Sequence, residues 1–117
     1  MPEETLALAR EIVETLDEKK GEDILLLDLH GVCSFTDYFV LCTCASERTL
    51  QALADEVTRR AKGRRVIPAP RREGDASSGW VLVDCGGVIL HLFTQAVREY
   101  YRLEELWRAG KVLVRVA

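Results

Sequence analysis

Two stretches of the chain carry apolar residues at the three- and four-residue spacing of an amphipathic helix. The first covers residues 3–19, and the second runs from Ser46 to about Lys62. Their apolar positions are Leu6, Ala9, Ile12, Val13, Leu16, Leu50, Leu53, Ala54, Val57 and Ala61. Gly21 and Gly63 follow the two stretches, at the place where glycine commonly ends a helix. The pattern therefore predicts two helices, each with one buried face.

Shorter apolar runs predict strands. "DILLLDL" (23–29) is continuous and apolar, which is typical of a buried strand. "DYFVLCT" (37–43) is rich in aromatic and β-branched residues. "WVLVDCGGVILHLF" (80–93) predicts a hairpin, because Gly86 and Gly87 supply the positive φ that a tight turn needs.

The hairpin has two different faces. A turn at the two glycines pairs Val83 with Leu90 and Val81 with Leu92, and a two-residue shift of register would keep the same faces. One face is apolar and is predicted to be core: Val81, Val83, Cys85, Val88, Leu90 and Leu92. The other face is mixed: Trp80, Leu82, Asp84, Ile89, His91 and Phe93. The mixed face is either a second core layer under a helix or a docking surface.

The remaining stretches complete an α/β pattern. Residues 64–79 contain two prolines and two glycines and are predicted to be a loop, with a brief strand at Val66 and Ile67 as an alternative. Residues 94–110 predict a helix with a possible break near Leu103. "KVLVRVA" is either a last strand or an extended tail. We therefore expect a single α/β domain over residues 1–117, with a mixed sheet flanked by helices.

Charge is segregated along the chain, although the net charge is only -3. Seven basic residues and no acidic one lie between Arg59 and Arg72, whereas residues 1–37 hold ten acidic residues against three basic ones. This distribution suits an acidic surface that meets a basic partner. The basic run is either a solvated helix end and loop or a weak contact to the phosphate backbone of a nucleic acid. The N-terminus lacks the positive charge and cleavage-like site of a signal peptide, so we expect a cytoplasmic protein.

Several motifs in this order resemble the ribosomal silencing factor family, also called Iojap-like. They are EDILLLDL, SFTDYFVL, ASERTLQALADEV, GWVLVDCGGVILHLF and REYYRLEELW, and they span about residues 22–107. The resemblance implies a fold related to nucleotidyltransferases but without catalysis or a cofactor. It also implies binding to the large ribosomal subunit through ribosomal protein fourteen of that subunit. Such binding blocks subunit joining and represses translation when nutrients are short. Some members act in assembly of the large subunit.

Two positions depart from the family pattern. Cys44 stands where the family usually has glycine in a Thr-Gly-x-Ser turn, which bears on any anion-binding role of that turn. Gly87 stands where an Asp-x-Gly-Asp hairpin has its second aspartate. The second departure removes one carboxylate from a surface expected to meet a basic partner.

The residues expected to bind the partner are Asp37, Tyr38, Trp80, Asp84, His91, Phe93 and Tyr101. Aromatic anchors ringed by polar groups are typical of interface hot spots, and Trp80 is the favoured anchor. Asp84 would accept a charge-assisted bond from a Lys or Arg. The alternative for Asp37 and Tyr38 is a turn cap and a half-buried ring. Tyr100, Leu103 and Trp107 share a helical face and are predicted to be core, and an exposed aromatic surface makes a homodimer plausible.

Other chemistries are less well supported. A zinc site from Cys42 and Cys44 with Cys85 or His91 lacks paired CxxC-type spacing, and nothing lowers the pKa of a catalytic Cys44. We expect the four cysteines to be reduced and to act as small apolar residues. Nucleotidyl transfer needs carboxylates close together around Mg²⁺, whereas Asp28, Asp37 and Asp84 are predicted to be isolated.

Overall fold

The computed structural model describes residues 2–64, 69–102, 105 and 110–116, which form an α/β domain with three α-helices and six strands. In chain order these are α1 (Pro2–Glu18), β1 (Glu22–Asp28), β2 (Tyr38–Cys44), α2 (Glu47–Gly63), β3 (Arg71–Glu73), β4 (Trp80–Asp84), β5 (Val88–Thr94), α3 (Gln95–Tyr100) and β6 (Lys111–Val116). One 3-10 turn, Ala76–Ser78, precedes β4. In the described ranges, no helix is long and apolar enough to cross a membrane.

The six strands form one mixed sheet in the order β3-β4-β5-β2-β1-β6. The central strands β2 and β5 are parallel, and every other neighbouring pair is antiparallel. The parallel pair needs a crossover, and α2 lies in the connection between its two strands. The predicted mixed sheet is therefore confirmed.

The predicted register of the hairpin is also confirmed. Val83 pairs with Leu90 and Val81 with Leu92. The turn residues Gly86 and Gly87 have φ values of 67° and 86°, which residues with a Cβ rarely adopt.

Helices α1 and α2 cover one face of the sheet. Ser46 caps α2, and its hydroxyl accepts a hydrogen bond from the Thr49 backbone N–H. The apolar face of the hairpin packs beneath the two helices, together with Ile24, Leu26 and Val40. All residues of that hairpin face are fully buried, as predicted. Cys42, Cys44 and Cys85 lie in the same cluster, and all four cysteines are free thiols. We call this surface the helix-covered face.

The opposite face of the sheet is covered less completely. Leu25, Leu27, Leu41 and Phe93 form a smaller buried cluster there, with Val97 of α3 packed against it. Arg98 of α3 is buried and its Nη1 atom lies 2.6 Å from Asp23 Oδ2 and 2.8 Å from Thr43 Oγ1. These contacts of the buried Arg98 anchor α3 to the start of β1 and the end of β2. They also position Tyr100, the last residue of α3, and Tyr101, which follows it.

Two predictions are wrong, and others concern residues outside the described ranges. The predicted loop contains β3, a three-residue edge strand of exposed charged side chains that has no apolar pattern to reveal it. Tyr100 is 80% exposed instead of core, because α3 ends there and its C-cap is Tyr101. Val66, Ile67, Leu103 and Trp107 lie outside the described residues. The last stretch forms a strand rather than a tail.

Candidate docking face

A continuous row of rings crosses the less covered face of the sheet. In spatial order the rings belong to Phe35, Phe39, His91, Trp80, Tyr101 and Tyr100. The distances between successive ring centroids are 6.5, 4.5, 6.2, 5.5 and 4.9 Å. These spacings lie in or near the range of favourable aromatic pairs. We call this feature the aromatic row.

The strand order brings these rings together from distant parts of the chain. Phe39 lies on β2, His91 on β5 and Trp80 on β4, which are three adjacent strands. His91 is paired with Leu82 of β4 on one side and with Leu41 of β2 on the other. Because side chains alternate along a strand, the three rings project from the same face. Phe35 comes from the β1–β2 loop, and Tyr101 follows α3.

Two side chains at the centre of the row have unpartnered polar atoms. His91 is 7% exposed, and its two buried ring nitrogens have no hydrogen-bond partner among the residues that the structure describes. The buried Trp80 indole N–H likewise has no partner within those ranges. Desolvation lowers the pKa of His91 to about 4, so the ring is neutral at physiological pH. Unpartnered buried groups cost roughly 1–3 kcal/mol each, and in native proteins such atoms call for an explanation, for example a bound water, an ion or a binding partner.

A histidine in the β1–β2 loop lies between two carboxylates and contacts both. His30 Nδ1 lies 2.6 Å from Asp28 Oδ1, and His30 Nε2 lies 3.3 Å from Asp37 Oδ1. The hydrogen bond from the His30 backbone N–H lowers the pKa of Asp28. His30 thus bridges Asp28 and Asp37, which lie near each other because Asp28 is paired with Tyr38 across β1 and β2. In the part of the chain that the structure describes, no group of three His, Cys, Asp or Glu could hold a metal ion.

The same loop is tied to the hairpin turn. The backbone N–H groups of Asp37 and Tyr38 both donate to the Gly87 carbonyl at 3.0 Å. A Cβ on Gly87 would lie 2.9 Å from Thr5 Cγ2 and 3.5 Å from Asp37 Oδ2. A side chain at this position would crowd α1, and an aspartate would place a second negative charge beside Asp37. The glycine that departs from the family pattern therefore suits its surroundings here.

The predicted partner-binding residues divide into two groups. Trp80, Asp84 and Asp37 are partly exposed, and Tyr101 is 58% exposed, so their side chains are accessible to a partner. Tyr38, His91 and Phe93 are 5%, 7% and 1% exposed and can only support the surface from behind. Asp84 also accepts a hydrogen bond from the Gly86 N–H in the turn. Tyr38 packs with the helix-covered cluster, where burial raises its pKa, and its ring lies edge-on to His30.

Sequence reasoning missed the exposed apolar side chains of the β1–β2 loop. Phe35 is 72% exposed and Val32 is 53% exposed, and neither was among the predicted partner-binding residues. Their neighbours in the sequence are Gly, Ser, Thr and Asp, which favour a loop. An aromatic residue inside such a polar connection was the available signal for an exposed ring.

The basic run is largely paired within the molecule. Arg59 and Arg60 contact Glu56, whose pKa they lower, and Arg60 also approaches Glu18. Arg64 contacts Glu11 of α1, and Arg72 Nη1 lies 2.7 Å from Asp55 Oδ1. Such exposed pairs add little stability, but they reduce the positive charge that a phosphate backbone would meet. This pairing favours the interpretation of the run as a solvated surface.

Comparison with known proteins identifies the family. The family described as "Ribosomal silencing factor during starvation" matches residues 2–116, and the chain belongs to it. A ribosomal silencing factor of Bacillus subtilis is 42% identical over 78% of this chain and 76% of its own length. The crystal structure of a protein from Chromobacterium violaceum has a TM-score of 0.81 at 35% identity, covering 93% of this chain and 92% of that one.

A relative from mouse carries a different name. It is called "Mitochondrial assembly of ribosomal large subunit protein 1" and is 32% identical over 82% of this chain. This chain spans only 43% of the mouse protein's length. The family therefore includes proteins named for silencing and proteins named for assembly of the large subunit.

Proposed function

We propose that this protein binds the large ribosomal subunit through the aromatic row and thereby keeps the small subunit from joining. Translation is then repressed when nutrients are limiting. The observation that carries the proposal is the aromatic row itself, in which partly exposed rings accompany three buried polar atoms that have no partner among the described residues. Hot spots of interfaces are rich in Trp and Tyr and lie in places from which a partner excludes water.

The proposed contact on the ribosome is ribosomal protein fourteen of the large subunit. Trp80 and Tyr101 would supply the ring surface, with His91 and Phe93 holding that surface in place. Tyr38 would act from the other face of the sheet by fixing the loop beside Asp37. Asp37 and Asp84 flank the row and would accept charge-assisted hydrogen bonds from Lys or Arg of the partner. The acidic balance of the chain outside the basic run supports a basic partner.

Occupancy alone suffices for this mechanism, so we propose a binding protein and not an enzyme. A bound domain that overlaps the position of the small subunit prevents joining without any chemical step. The same exposed rings would also bury surface in a homodimer, which would compete with ribosome binding. We place this activity in the cytoplasm, with only a weak contribution from ribosomal RNA contacts in the basic run.

A second candidate function is assembly of the large subunit. The name of the mouse relative supports it, and the proposed contact surface is the same. The two functions differ in outcome, because an assembly factor binds the subunit without inhibiting translation. Protein added to an in vitro translation reaction inhibits it under the first proposal and leaves it unchanged under the second.

Co-sedimentation with purified large subunits tests the docking proposal. Wild-type protein is expected to pellet with the subunits at near-physiological salt, and Trp80→Ala to lose most of that binding. Gln51→Ala on the exposed side of α2 is the control and should bind like wild type. Circular dichroism of each variant checks that the fold is intact. Equal binding by folded Trp80→Ala and wild type would contradict docking through the aromatic row.

A further inference from the structure

We infer that a groove beside the aromatic row binds an arginine side chain of the partner, an inference that rests on the proposed function. The groove has a volume of about 290 Å³ and lies between β3, β4 and the residue after α3. It is lined by Glu73, Gly74, Ser78, Trp80, Leu82 and Tyr101. This volume falls at the lower end of pockets for small molecules, about 300–1,000 Å³, and suits one long side chain.

Two aromatic rings form one wall of the groove. The centroids of Trp80 and Tyr101 are 5.5 Å apart, and their planes meet at 49°. The two rings are therefore tilted with respect to each other and do not stack face to face. A cation over the face of Trp or Tyr is attracted by the ring quadrupole, and a planar guanidinium also stacks on the ring.

A carboxylate stands at the rim opposite the rings. Arg72 points towards α2, where it pairs with Asp55. Because side chains alternate along a strand, Arg71 and Glu73 point to the face of the aromatic row. Glu73 is paired with Leu82 in the β3–β4 register, which places its carboxylate beside the groove. Its contact with Arg71 is long, 3.9 Å, and both side chains are mostly exposed. A partner's guanidinium can therefore replace Arg71 at little cost.

The backbone at the rim is built to keep the groove open. Gly74 has φ +84°, and a Cβ there would lie 2.5 Å from the Trp80 carbonyl oxygen. Any larger residue would push β3 away from β4 at this point. Ser78 directs its hydroxyl to backbone carbonyls of Asp75 and Trp80, which fixes the floor.

The tilted rings of Trp80 and Tyr101 and the carboxylate of Glu73 together favour arginine over the other side chains that a basic partner presents. A lysine ammonium has no plane to stack between tilted rings, and it meets a carboxylate as a point charge. A guanidinium can stack on the rings and pair with the carboxylate at the same time. Its flat face contacts the rings, while its N–H groups form two parallel hydrogen bonds to one carboxylate. An apolar side chain would desolvate Glu73 and leave it with only its long contact to Arg71.

Substitution at Glu73 tests the inference on large subunits. Glu73→Gln keeps the shape of the side chain and removes its charge. It should weaken binding to the large subunit about tenfold, which corresponds to the loss of one charge-assisted hydrogen bond. Glu47→Gln, an exposed carboxylate at the start of α2, is the matched control and should bind like wild type. Tyr101→Phe should retain the ring contribution, whereas Tyr101→Leu should lose it.

Small probes separate arginine from lysine. The Trp80 indole resonance is followed by NMR while N-acetyl-arginine amide, N-acetyl-lysine amide or the uncharged citrulline analogue is added to the full chain. The arginine probe is expected to shift the resonance most, and Glu73→Gln should abolish the difference from citrulline. Equal shifts from all three probes, or subunit binding by Glu73→Gln equal to wild type, would overturn the groove inference.

The two proposals fail in distinguishable ways. Loss of subunit binding in Trp80→Ala together with wild-type binding in Glu73→Gln removes the arginine groove and leaves the docking face standing. Wild-type binding by both variants, with the folds intact, removes the docking face and the groove together.

Discussion

The two faces of the sheet are made by alternate residues of the same strands. They differ in how completely their side chains are buried and hydrogen-bonded. On the helix-covered face, Val83, Leu90 and Leu92 are 0% exposed and meet only apolar neighbours. On the face of the aromatic row, Trp80, Leu82 and Ile89 are partly exposed. The row also holds three buried polar atoms for which the described residues offer no partner. The buried residues of the first face are not accessible to a partner, whereas under the proposed function the second face would gain both burial and hydrogen bonds from one.

Because of this difference, single substitutions can test fold stability and partner binding separately. Ile89 and Leu90 are adjacent in sequence but project to opposite faces. Substitutions on the helix-covered face should therefore change the free energy of unfolding, and substitutions on the other face should change binding.

The largest expected effect is on stability. Leu90→Ala removes a fully buried side chain beneath α2 and should lower the free energy of unfolding by about 3–4 kcal/mol. Ile89→Ala, its matched control on the other face, removes a half-buried side chain and should cost about half as much. Urea denaturation measures both. Equal losses from the two substitutions would contradict the division between the faces.

A smaller effect on stability comes from His91 and depends on pH. The pKa of a histidine is ordinarily 6.5, and burial lowers that of His91 to about 4, so the unfolded chain holds more protons between these values. Stability should accordingly fall as pH decreases from about 6.5 to 4, by at most about 3 kcal/mol from this residue. His91→Phe should flatten that part of the profile and, by removing two unpartnered nitrogens, raise stability at neutral pH by about 1 kcal/mol.

Denaturant midpoints measured at half-unit pH steps test this prediction. Carboxylates with lowered pKa, such as Asp28, lose their contribution only at pH values nearer 4 and below, and His30 is common to both proteins. The difference between wild type and His91→Phe above pH 5 therefore isolates His91. Identical slopes for wild type and His91→Phe in that range would show that the ring is not buried as a neutral group.

The smallest expected effect on stability is at the exposed loop. Phe35→Ser should leave the free energy of unfolding within about 0.5 kcal/mol of wild type, because the ring is mostly in solvent. The same substitution removes the end of the aromatic row and should weaken large-subunit binding several-fold. Val112→Ser on β6 is a matched exposed apolar control outside the row. A large stability loss in Phe35→Ser without a change in binding would reverse the assignment of this loop.

Local patterns in the sequence were enough to predict the elements and the two faces of the hairpin. Alternation with period two fixes which residues share a face, and two adjacent glycines fix the turn. These features depend on neighbours in the sequence, which explains why the pairing of Val83 with Leu90 could be stated in advance.

Features that depend on strand order could not be predicted in this way. Phe39 meets His91 because β2 lies beside β5, and Asp28 and Asp37 meet His30 because β1 and β2 are neighbours. The strand β3 lacks an apolar pattern because it is a short edge strand. The candidate site was therefore predictable in its hairpin half and unpredictable in its loop half.

Site-specific crosslinking tests the central claim most directly. A photoreactive benzoylphenylalanine replaces Tyr101 in the aromatic row in one variant and Gln51 on the exposed side of α2 in another. Each is irradiated with purified large subunits, and crosslinked products are identified by mass spectrometry. We predict a crosslink from position 101 to a basic ribosomal protein and none from position 51. Crosslinks from position 51 alone would contradict docking through the aromatic row.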